Sequence, residues 1–263
     1  MKVSGRYMGY LKRKNKILNI IYKIFGHLDL HTQIRTRPIV KLIDKKKEMF
    51  QDKVILEIGC GSGNNCFEII IANPKIVIGV DLNEESIQLA DNISKELGYT
   101  DKINFICDNA ENIDFSKIGK VDILLLIDFL EHIETPSKFL SSIYDILNDD
   151  CIILVSVPTY KYKKVFGEKF HNLVGHVKDG YDLNEIRILF NEEKFEVIEC
   201  SYNTGLFGAI GCFIFYRLMS KNKYLNLLKS LLLYPFSLLD FINNKYISCS
   251  MFLIIKKRIY KNV

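Results

Sequence analysis

Short apolar runs alternate with amphipathic stretches along most of the chain. The runs are rich in Val, Ile and Leu, and they predict β-strands at residues 53–58, 75–81, 102–107, 121–127, 151–158, 194–202 and 246–258. Apolar residues at helical spacing predict helices at residues 64–72, 84–97, 136–147 and 182–192. Strands that alternate with helices imply right-handed crossovers and parallel pairing. We therefore expect an α/β fold with a doubly wound, mostly parallel sheet, and a polar loop at residues 159–181.

Two strongly apolar segments precede the last predicted strand, at residues 206–219 and 224–242. The first is too short to span a bilayer, and Lys229, Pro235 and Asp240 interrupt the second, so neither is typical of a transmembrane helix. We expect a helical insertion that covers the sheet edge or the mouth of a site. Besides packing as core, its apolar face leaves three roles open: lining a pocket for a hydrophobic ligand, pairing two subunits, or resting on a membrane.

The N-terminus is basic and then mildly apolar. Lys23 lies inside the apolar part and no small-residue cleavage site follows, so the segment is not typical of a signal peptide. A cationic amphipathic helix is expected instead, either packed on the body or lying on a membrane. The chain is thus expected to divide into an N-terminal helical segment (1–50), a core (51–204), an apolar helical insertion (205–245) and a final strand of the core sheet (246–263).

Composition narrows the class of protein. With 48% hydrophobic residues the chain can bury a sizeable core, and its net charge of +5 is spread out rather than clustered, which does not predict nucleic-acid binding. Seven cysteines are scattered without a C-x-x-C pair or a Cys/His quartet, so neither a disulfide framework nor a structural zinc site is expected. A reducing cytoplasm suits such a chain best.

The stretch VILEIGCGSGNN, residues 54–65, places three glycines directly behind a strand. Gly59, Gly61 and Gly63 allow the backbone to turn sharply and to approach a ligand closely, because no Cβ intrudes. The G-x-G-x-G spacing lacks the third glycine of the dinucleotide fingerprint, and no Lys-Ser/Thr pair follows as in a phosphate-binding loop. In open α/β sheets, ligands bind at the carboxyl ends of strands where the strand order reverses.

Polar residues end the neighbouring strands. Asp81 ends the second strand and can accept hydrogen bonds from both hydroxyls of a ribose. Glu57 can orient a polar ligand end such as an amino group. In DNAENIDF, residues 108–115, a polar side chain can read an adenine amino group while the backbone of Ala110 reaches the ring. These points describe an adenosine that carries something other than a diphosphate, although turn-forming and helix-capping roles also fit these residues.

At this point the chain resembles a class I S-adenosylmethionine-dependent methyltransferase. LEIGCGSG, GVDLNEESI, CDNAENI and DFLEHIETP follow in order between residue 53 and about residue 200, and LEHI is most similar to the ubiquinone-biosynthesis-type, small-molecule branch. The resemblance implies a Rossmann-like sheet of seven strands with the last antiparallel. It also implies S-adenosyl-L-methionine as cofactor, with contacts from Glu57, Gly59, Cys60, Gly61, Gly63, Asp81, Leu82, Asp108, Asn109, Ala110 and Asp128. Asn109 stands where relatives usually carry Asp.

Two histidines are candidate catalytic residues, because an acceptor that carries a proton needs a base. His132 in LEHI follows the fourth strand, and His176 lies in GHVKDGY after the fifth. Each also has a structural interpretation, and His176 is favoured over His171. His171 and His176 are five residues apart in a segment expected to be a non-helical loop, so no metal is expected. Arg35, before the first strand, suits either a solvated surface role or binding of a substrate carboxylate or phosphate.

The sequence therefore predicts methyl transfer to a small-molecule acceptor, at oxygen, on a hydrophobic, isoprenoid or glycan-precursor substrate. Two alternatives stay open: an interaction protein that kept the fold but lost activity, and a protein methyltransferase. An Asn-Pro-Pro-Tyr-type motif is missing after the fourth strand, which argues against methylation of a nucleic-acid base. We expect a cytoplasmic protein, and leave peripheral membrane contact and a homodimer open.

Overall fold

A computed structural model describes residues 30–218, 220, 222–238 and 243–259. The predicted cationic helix near the N-terminus and the last residues of the predicted 224–242 helix lie outside the described residues. One sheet organises this part of the chain, with strands β1 (Val54–Ile58), β2 (Ile76–Asp81), β3 (Ile103–Cys107), β4 (Val121–Ile127), β5 (Leu147–Pro158), β6 (Phe195–Asn203) and β7 (Ser250–Lys257).

The strand order is β3-β2-β1-β4-β5-β7-β6. Strands β1 to β5 pair in parallel, and β7 runs antiparallel between β5 and β6. This confirms the predicted doubly wound, seven-stranded and mostly parallel sheet. The order reverses between β1 and β4, so the carboxyl ends of these two strands mark the crevice where such sheets bind ligands.

Helices cover both faces of the sheet. They are α1 (Leu30–Lys45), α2 (Asn64–Ile69), α3 (Glu84–Leu97), α4 (Pro136–Ile143), α5 (Lys161–Phe166), α6 (Glu168–Leu173), α7 (Leu183–Phe190), α8 (Leu206–Arg217) and α9 (Lys223–Leu238). The sequence fixes several of their ends locally. Asn83 caps α3 by accepting from Ser86 N at 2.8 Å, and Asp182 and Glu185 form a reciprocal capping box at the start of α7.

Alternate residues of the central strands point to opposite faces and build two cores. On one face Leu56 and Leu124 pack with Phe139 of α4. On the other face Ile55 and Leu125 pack with Ile39 of α1. Because both faces are buried, the central strands are apolar throughout, which is the pattern that the sequence shows.

Helices α8 and α9 lie in the segment predicted as an insertion. They pack on α1 through a third, smaller cluster of Ile34, Cys212, Phe215 and Leu233. Among the described residues, no helix combines the length and the apolarity needed to cross a membrane. Which of the open roles this helical pair serves beyond its packing stays a prediction.

Three local expectations were wrong. The predicted polar loop at 159–181 contains α5 and α6, because Tyr162 and Phe166 pack one turn apart with ring centroids 4.7 Å apart, and Gly167, at φ +82°, separates the two helices. The last strand begins at Ser250 rather than at residue 246, because the Asn244 side chain accepts from Tyr246 N at 2.8 Å and forms a turn.

The third difference concerns the junction before β5. Helix α4 ends at Ile143, a short 3₁₀ turn covers Tyr144–Ile146, and β5 begins at Leu147 rather than at residue 151. Periodicity cannot mark this junction, because Ile146 and Leu147 are apolar on either interpretation.

Candidate active site

The glycine loop joins β1 to α2 at the crevice. Gly59 N–H donates to Val80 O at 2.8 Å, which ties the loop to β2. Gly61 has φ +55°, and a Cβ built there would meet no atom within 4 Å, so this position faces open space. Gly63 differs, because its Cβ would lie 2.5 Å from Cζ of Phe105. One glycine therefore leaves room for a ligand and the other leaves room for the core.

Asp81 stands at the end of β2 beside this loop. Its two carboxylate oxygens accept from Gly61 N at 2.7 Å and from Asn83 N at 2.8 Å. The next residue, Leu82, is 70% exposed despite its apolar side chain. A carboxylate fixed at the strand end and an apolar surface next to it fit a ribose and the adenine attached to it.

The side chains of Glu57 and Cys60 are both buried. Glu57 is only 2% exposed, and its oxygens accept from Asn65 Nδ2 at 2.7 Å and from Cys66 Sγ at 3.1 Å. Burial raises the pKa of this carboxyl to about 7, partly offset by those two hydrogen bonds. In this structure the carboxyl contacts α2 beneath the loop, and its contact with a ligand amino group stays a prediction. Cys60 also turns its thiol inward, toward Gly79.

The end of β3 lies next to Asp81, since Asp108 N donates to Asp81 O at 3.1 Å. Asp108 is exposed, and its side chain accepts from Asn109 N at 2.7 Å. The amide oxygen of Asn109 accepts from Glu111 N at 2.9 Å. A carbonyl oxygen has two lone pairs, so Asn109 keeps one for a ligand amino group. Ala110 follows, half-buried, in the same turn.

These strand ends fit S-adenosylmethionine. The open space at Gly61, the fixed Asp81 carboxylate and the exposed Leu82 lie at adjacent strand ends, as the predicted adenosine contacts require. The role of each residue as a cofactor contact stays a prediction.

A cavity of about 170 Å³ opens beside the carboxyl end of β4. Helix α1 contributes Ile34 and Arg35, α5 contributes Tyr162 and Phe166, and α8 contributes Cys212. Polar side chains also line it, among them Asp128, Glu131, His132 and His176. The two candidate catalytic histidines therefore meet in one cavity. They are far apart in the chain, since Gly175, the neighbour of His176, lies 43 residues after His132.

Asp128 stands at the junction of the cofactor crevice and this cavity. It has φ +49°, a left-handed conformation that is uncommon for a residue other than glycine and is often found at functional positions. Its carboxylate accepts from Ser156 Oγ at 2.8 Å and forms an ion pair with Arg35. Arg35 thus lines the cavity and pairs with Asp128, while its side chain stays 40% exposed.

Glu131, His132 and His176 form what we call the polar wall. Glu131 is 1% exposed, and its Oε1 lies 3.9 Å from His176 Nε2. Burial and the nearby negative charge of Asp128 raise the pKa of Glu131 well above its usual value. Burial, followed by the neighbouring His132 and His171, lowers the pKa of His176 to about 4. Burial also lowers the pKa of His132. All three shifts favour the uncharged side chains.

Backbone contacts hold the polar wall together. Val177 N donates to Glu131 O at 2.9 Å, and the buried Tyr181 hydroxyl donates to Leu130 O at 3.0 Å. His132 Nδ1 lies 3.0 Å from Gly175 O. The loop that carries His176 is thereby fastened to the short 3₁₀ turn Leu130–His132 after β4.

His171 is held outside this cavity. It lies in α6, which corrects the expectation of a non-helical loop, and its Nε2 is 3.3 Å from Lys178 O and 3.5 Å from Asp179 Oδ1. Sequence reasoning did not select Glu131 as a site residue. The available signal was that Glu131 and His132 stand together between the apolar Leu130 and Ile133.

Comparison with known proteins agrees with this geometry. A family model described as "Methyltransferase domain" matches residues 50–230. Protein arginine N-methyltransferase 1 of Dictyostelium discoideum is 30% identical over 132 residues, which make up 48% of this chain and 38% of that protein. The mitochondrial ubiquinone biosynthesis O-methyltransferase of Saccharomyces cerevisiae is 30% identical over 114 residues, 43% of this chain and 34% of that protein.

A solved structure, magnesium protoporphyrin IX methyltransferase from Synechocystis PCC 6803 with bound SAH, superposes with a TM-score of 0.56 at 14% identity and covers 93% of this chain and 88% of that one. The chain spans about a third of the length of its first curated relatives. Their names cover different acceptors, so they do not single out the ubiquinone-biosynthesis-type branch. The match over 50–230, the strand order and the glycine loop show that this chain belongs to the methyltransferase domain family, class I and S-adenosylmethionine-dependent.

Proposed function

We propose that this protein transfers a methyl group from S-adenosylmethionine to an oxygen atom of a small-molecule acceptor that enters the cavity. The observation that carries the proposal is the position of Asp128, which directly follows β4 at the cofactor crevice and also lines the cavity. A donor over the glycine loop and an acceptor in the cavity would then be neighbours. Alignment of two reactants in this way supplies much of the rate of such a displacement.

The donor side rests on backbone and carboxylate groups. The backbone at Gly59, Cys60, Gly61 and Gly63 would hold the amino-acid part, Asp81 the ribose, and Leu82 with Asp108, Asn109 and Ala110 the adenine. When bound, S-adenosylmethionine supplies an electrophilic methyl group. The protein contributes positioning and exclusion of water, the latter from the apolar side chains of α1, α5 and α8 that surround the cavity.

The residues around the cavity favour an acceptor that combines a hydroxyl group with an apolar portion. His176 and His132 would contact the acceptor hydroxyl, which must lose its proton during methylation. Ile34, Phe166 and Cys212 line the same cavity and would provide apolar contacts for the rest of the molecule. The cavity thus suits a partly hydrophobic small molecule, and Arg35 offers a cation at its edge for an acidic substituent.

The likeness to a protein arginine N-methyltransferase favours a second candidate, methylation of a protein side chain. One experiment separates methylation of a small molecule from methylation of a protein.

The protein is incubated with S-adenosylmethionine labelled in the methyl group and with a whole-cell extract, which is then split into small-molecule and protein fractions. We expect label in the small-molecule fraction, in an ether linkage or ester that survives mild acid. Label in the protein fraction would favour the second candidate, and no transfer to either fraction would contradict both.

A further inference from the structure

We propose that the polar wall binds a divalent transition-metal cation, with Glu131, His132 and His176 as its ligands. One ligand atom from each of these residues lies within 4.8 Å of the other two. Such a cluster needs only small side-chain adjustments to reach the bond lengths of about 2.0–2.2 Å that zinc makes with nitrogen and oxygen. The expectation of no metal rested on the pair His171 and His176, and this different set replaces it.

Two buried atoms of the polar wall point to a ligand. Glu131 Oε2 and His176 Nδ1 are inaccessible to solvent and make no hydrogen bond with any described residue. Leaving a buried polar atom unsatisfied costs about 1–3 kcal/mol, so native structures rarely keep two together without a reason. Direct pairing of the two residues does not supply one, because 3.9 Å between Glu131 Oε1 and His176 Nε2 is too long for a hydrogen bond.

The surroundings of His132 match those of a metal ligand. Its Nδ1 lies at hydrogen-bond distance from Gly175 O, which leaves Nε2 free to bind a cation. A metal-binding histidine commonly donates its other ring N–H to a backbone carbonyl in this way, which fixes the ring orientation. The contacts of Val177 N with Glu131 O and of the Tyr181 hydroxyl with Leu130 O hold the two ligand-bearing segments together before any ion arrives.

The ligand set indicates which cation fits. Two imidazoles and one carboxylate suit Zn²⁺, Co²⁺ or Fe²⁺, whereas Mg²⁺ and Ca²⁺ prefer oxygen ligands alone. Three protein ligands also leave a coordination position open, as in catalytic rather than structural zinc sites. All three residues line the cavity, so an oxygen of a molecule bound there could take that position.

This inference refines the proposed function and rests on it only where the acceptor is concerned. With both imidazoles held as metal ligands, the cation would lower the pKa of a hydroxyl bound to it, and the proton of that hydroxyl would leave to water before methyl transfer. Metal binding itself needs neither the donor nor the acceptor. Its test therefore stands apart from any test of methyl transfer.

The experiment is a titration of untagged, chelator-treated protein with Zn²⁺, and separately with Co²⁺ followed by visible absorption. The exposed Cys107 can bind these ions, so the titrations use a Cys107→Ser background. We expect one equivalent to bind with micromolar or tighter affinity. Glu131→Gln and His176→Ala should each weaken binding at least 10-fold, and His171→Gln is the matched control, because His171 neighbours the polar wall without belonging to it.

Circular dichroism and a titration with S-adenosylmethionine check that each variant is folded. No bound equivalent in the Cys107→Ser protein would overturn the proposal, and so would binding that survives both Glu131→Gln and His176→Ala. A protein that binds S-adenosylmethionine but no cation refutes the metal site alone. A protein that binds Zn²⁺ at the polar wall but no S-adenosylmethionine refutes the proposed function and leaves the metal site standing.

Discussion

Gly61 and Gly63 are two residues apart and both have positive φ, but Gly61 faces open space whereas Gly63 contacts the core. Gly61→Ala places a methyl group in open space and should cost about 1–2 kcal/mol of folding free energy from the left-handed backbone alone. Gly63→Ala adds a clash with the Phe105 ring and should cost about 2–4 kcal/mol. Urea denaturation of both variants measures the difference, and equal losses would contradict this assignment of core and cleft.

Glu57 makes stability depend on pH. Its pKa of about 7 in the folded protein lies above 4.5, so the folded state holds the proton more tightly than the unfolded chain does. The protonated Glu57 therefore contributes to the free energy of unfolding. This contribution is complete below about pH 4.5 and is lost as the pH rises to about 7, and the total loss is about 3 kcal/mol.

Glu57→Gln should remove this slope, because the amide stays neutral throughout that range. Unfolding free energies measured at several pH values between 4 and 8, on the wild type and the variant, test the prediction. Glu193→Gln, at an exposed position, is the control and should follow the wild type. A wild-type and a Glu57→Gln profile that run parallel would show that this carboxyl does not titrate as described.

At the scale of elements, the loop from Gly175 to Tyr181 is fastened to the turn after β4 by the buried Tyr181 hydroxyl. Tyr181→Phe leaves Leu130 O without this donor and should lower the free energy of unfolding by about 1–2 kcal/mol. Hydrogen exchange of residues 175–181 should also become faster, while β1 and β4 stay protected. Tyr246→Phe, where the ring is 68% exposed, should change neither quantity. Unaltered exchange in Tyr181→Phe would mean that other contacts hold the loop.

Helices and strands were predictable from the sequence wherever a local pattern of apolar residues and capping residues defines them. The core strands and α3 follow from apolar periodicity and from caps such as Asn83. Helices α5 and α6 were not, because each is only six residues long and gives a weak apolar pattern, and because their side chains pack on distant parts of the chain: Phe166 on the cluster that includes α8, and His171 beside His176. Tertiary packing decides such segments, and periodicity does not record it.

At the scale of the whole molecule, the glycine loop was predictable because its motif is contiguous, whereas the cavity was not. The ion pair of Arg35 with Asp128 and the approach of His176 to Glu131 join residues that are far apart in the chain. These residues come together only in the folded molecule, where α1, the end of β4 and the segment after β5 line one cavity. The inward turn of Glu57 escaped prediction for a different reason: its partner Asn65 is only eight residues away, but the sequence does not record that the Glu57 side chain faces the helix beneath the loop.

The whole-molecule consequence of the site is ligand-linked stability. A ligand that binds only the folded state stabilises it by about 2.7 kcal/mol at a concentration 100 times its Kd. S-adenosylmethionine should therefore raise the Tm of the full chain in a concentration-dependent way, whereas NAD at the same concentrations should not. Equal increases in Tm with both compounds would indicate that the site recognises only the adenosine that they share.

The central claim is that the space at Gly61 holds S-adenosylmethionine, and calorimetric titration tests it most directly. The wild type should bind with micromolar affinity, and Gly61→Arg should abolish binding because its side chain fills that space. Gly119→Arg is the matched control, since Gly119 also has positive φ and open surroundings but lies before β4, at the opposite end from the site. Binding by the wild type and Gly119→Arg but not by Gly61→Arg is the predicted result. Binding that survives Gly61→Arg, or no binding by the wild type, would contradict it.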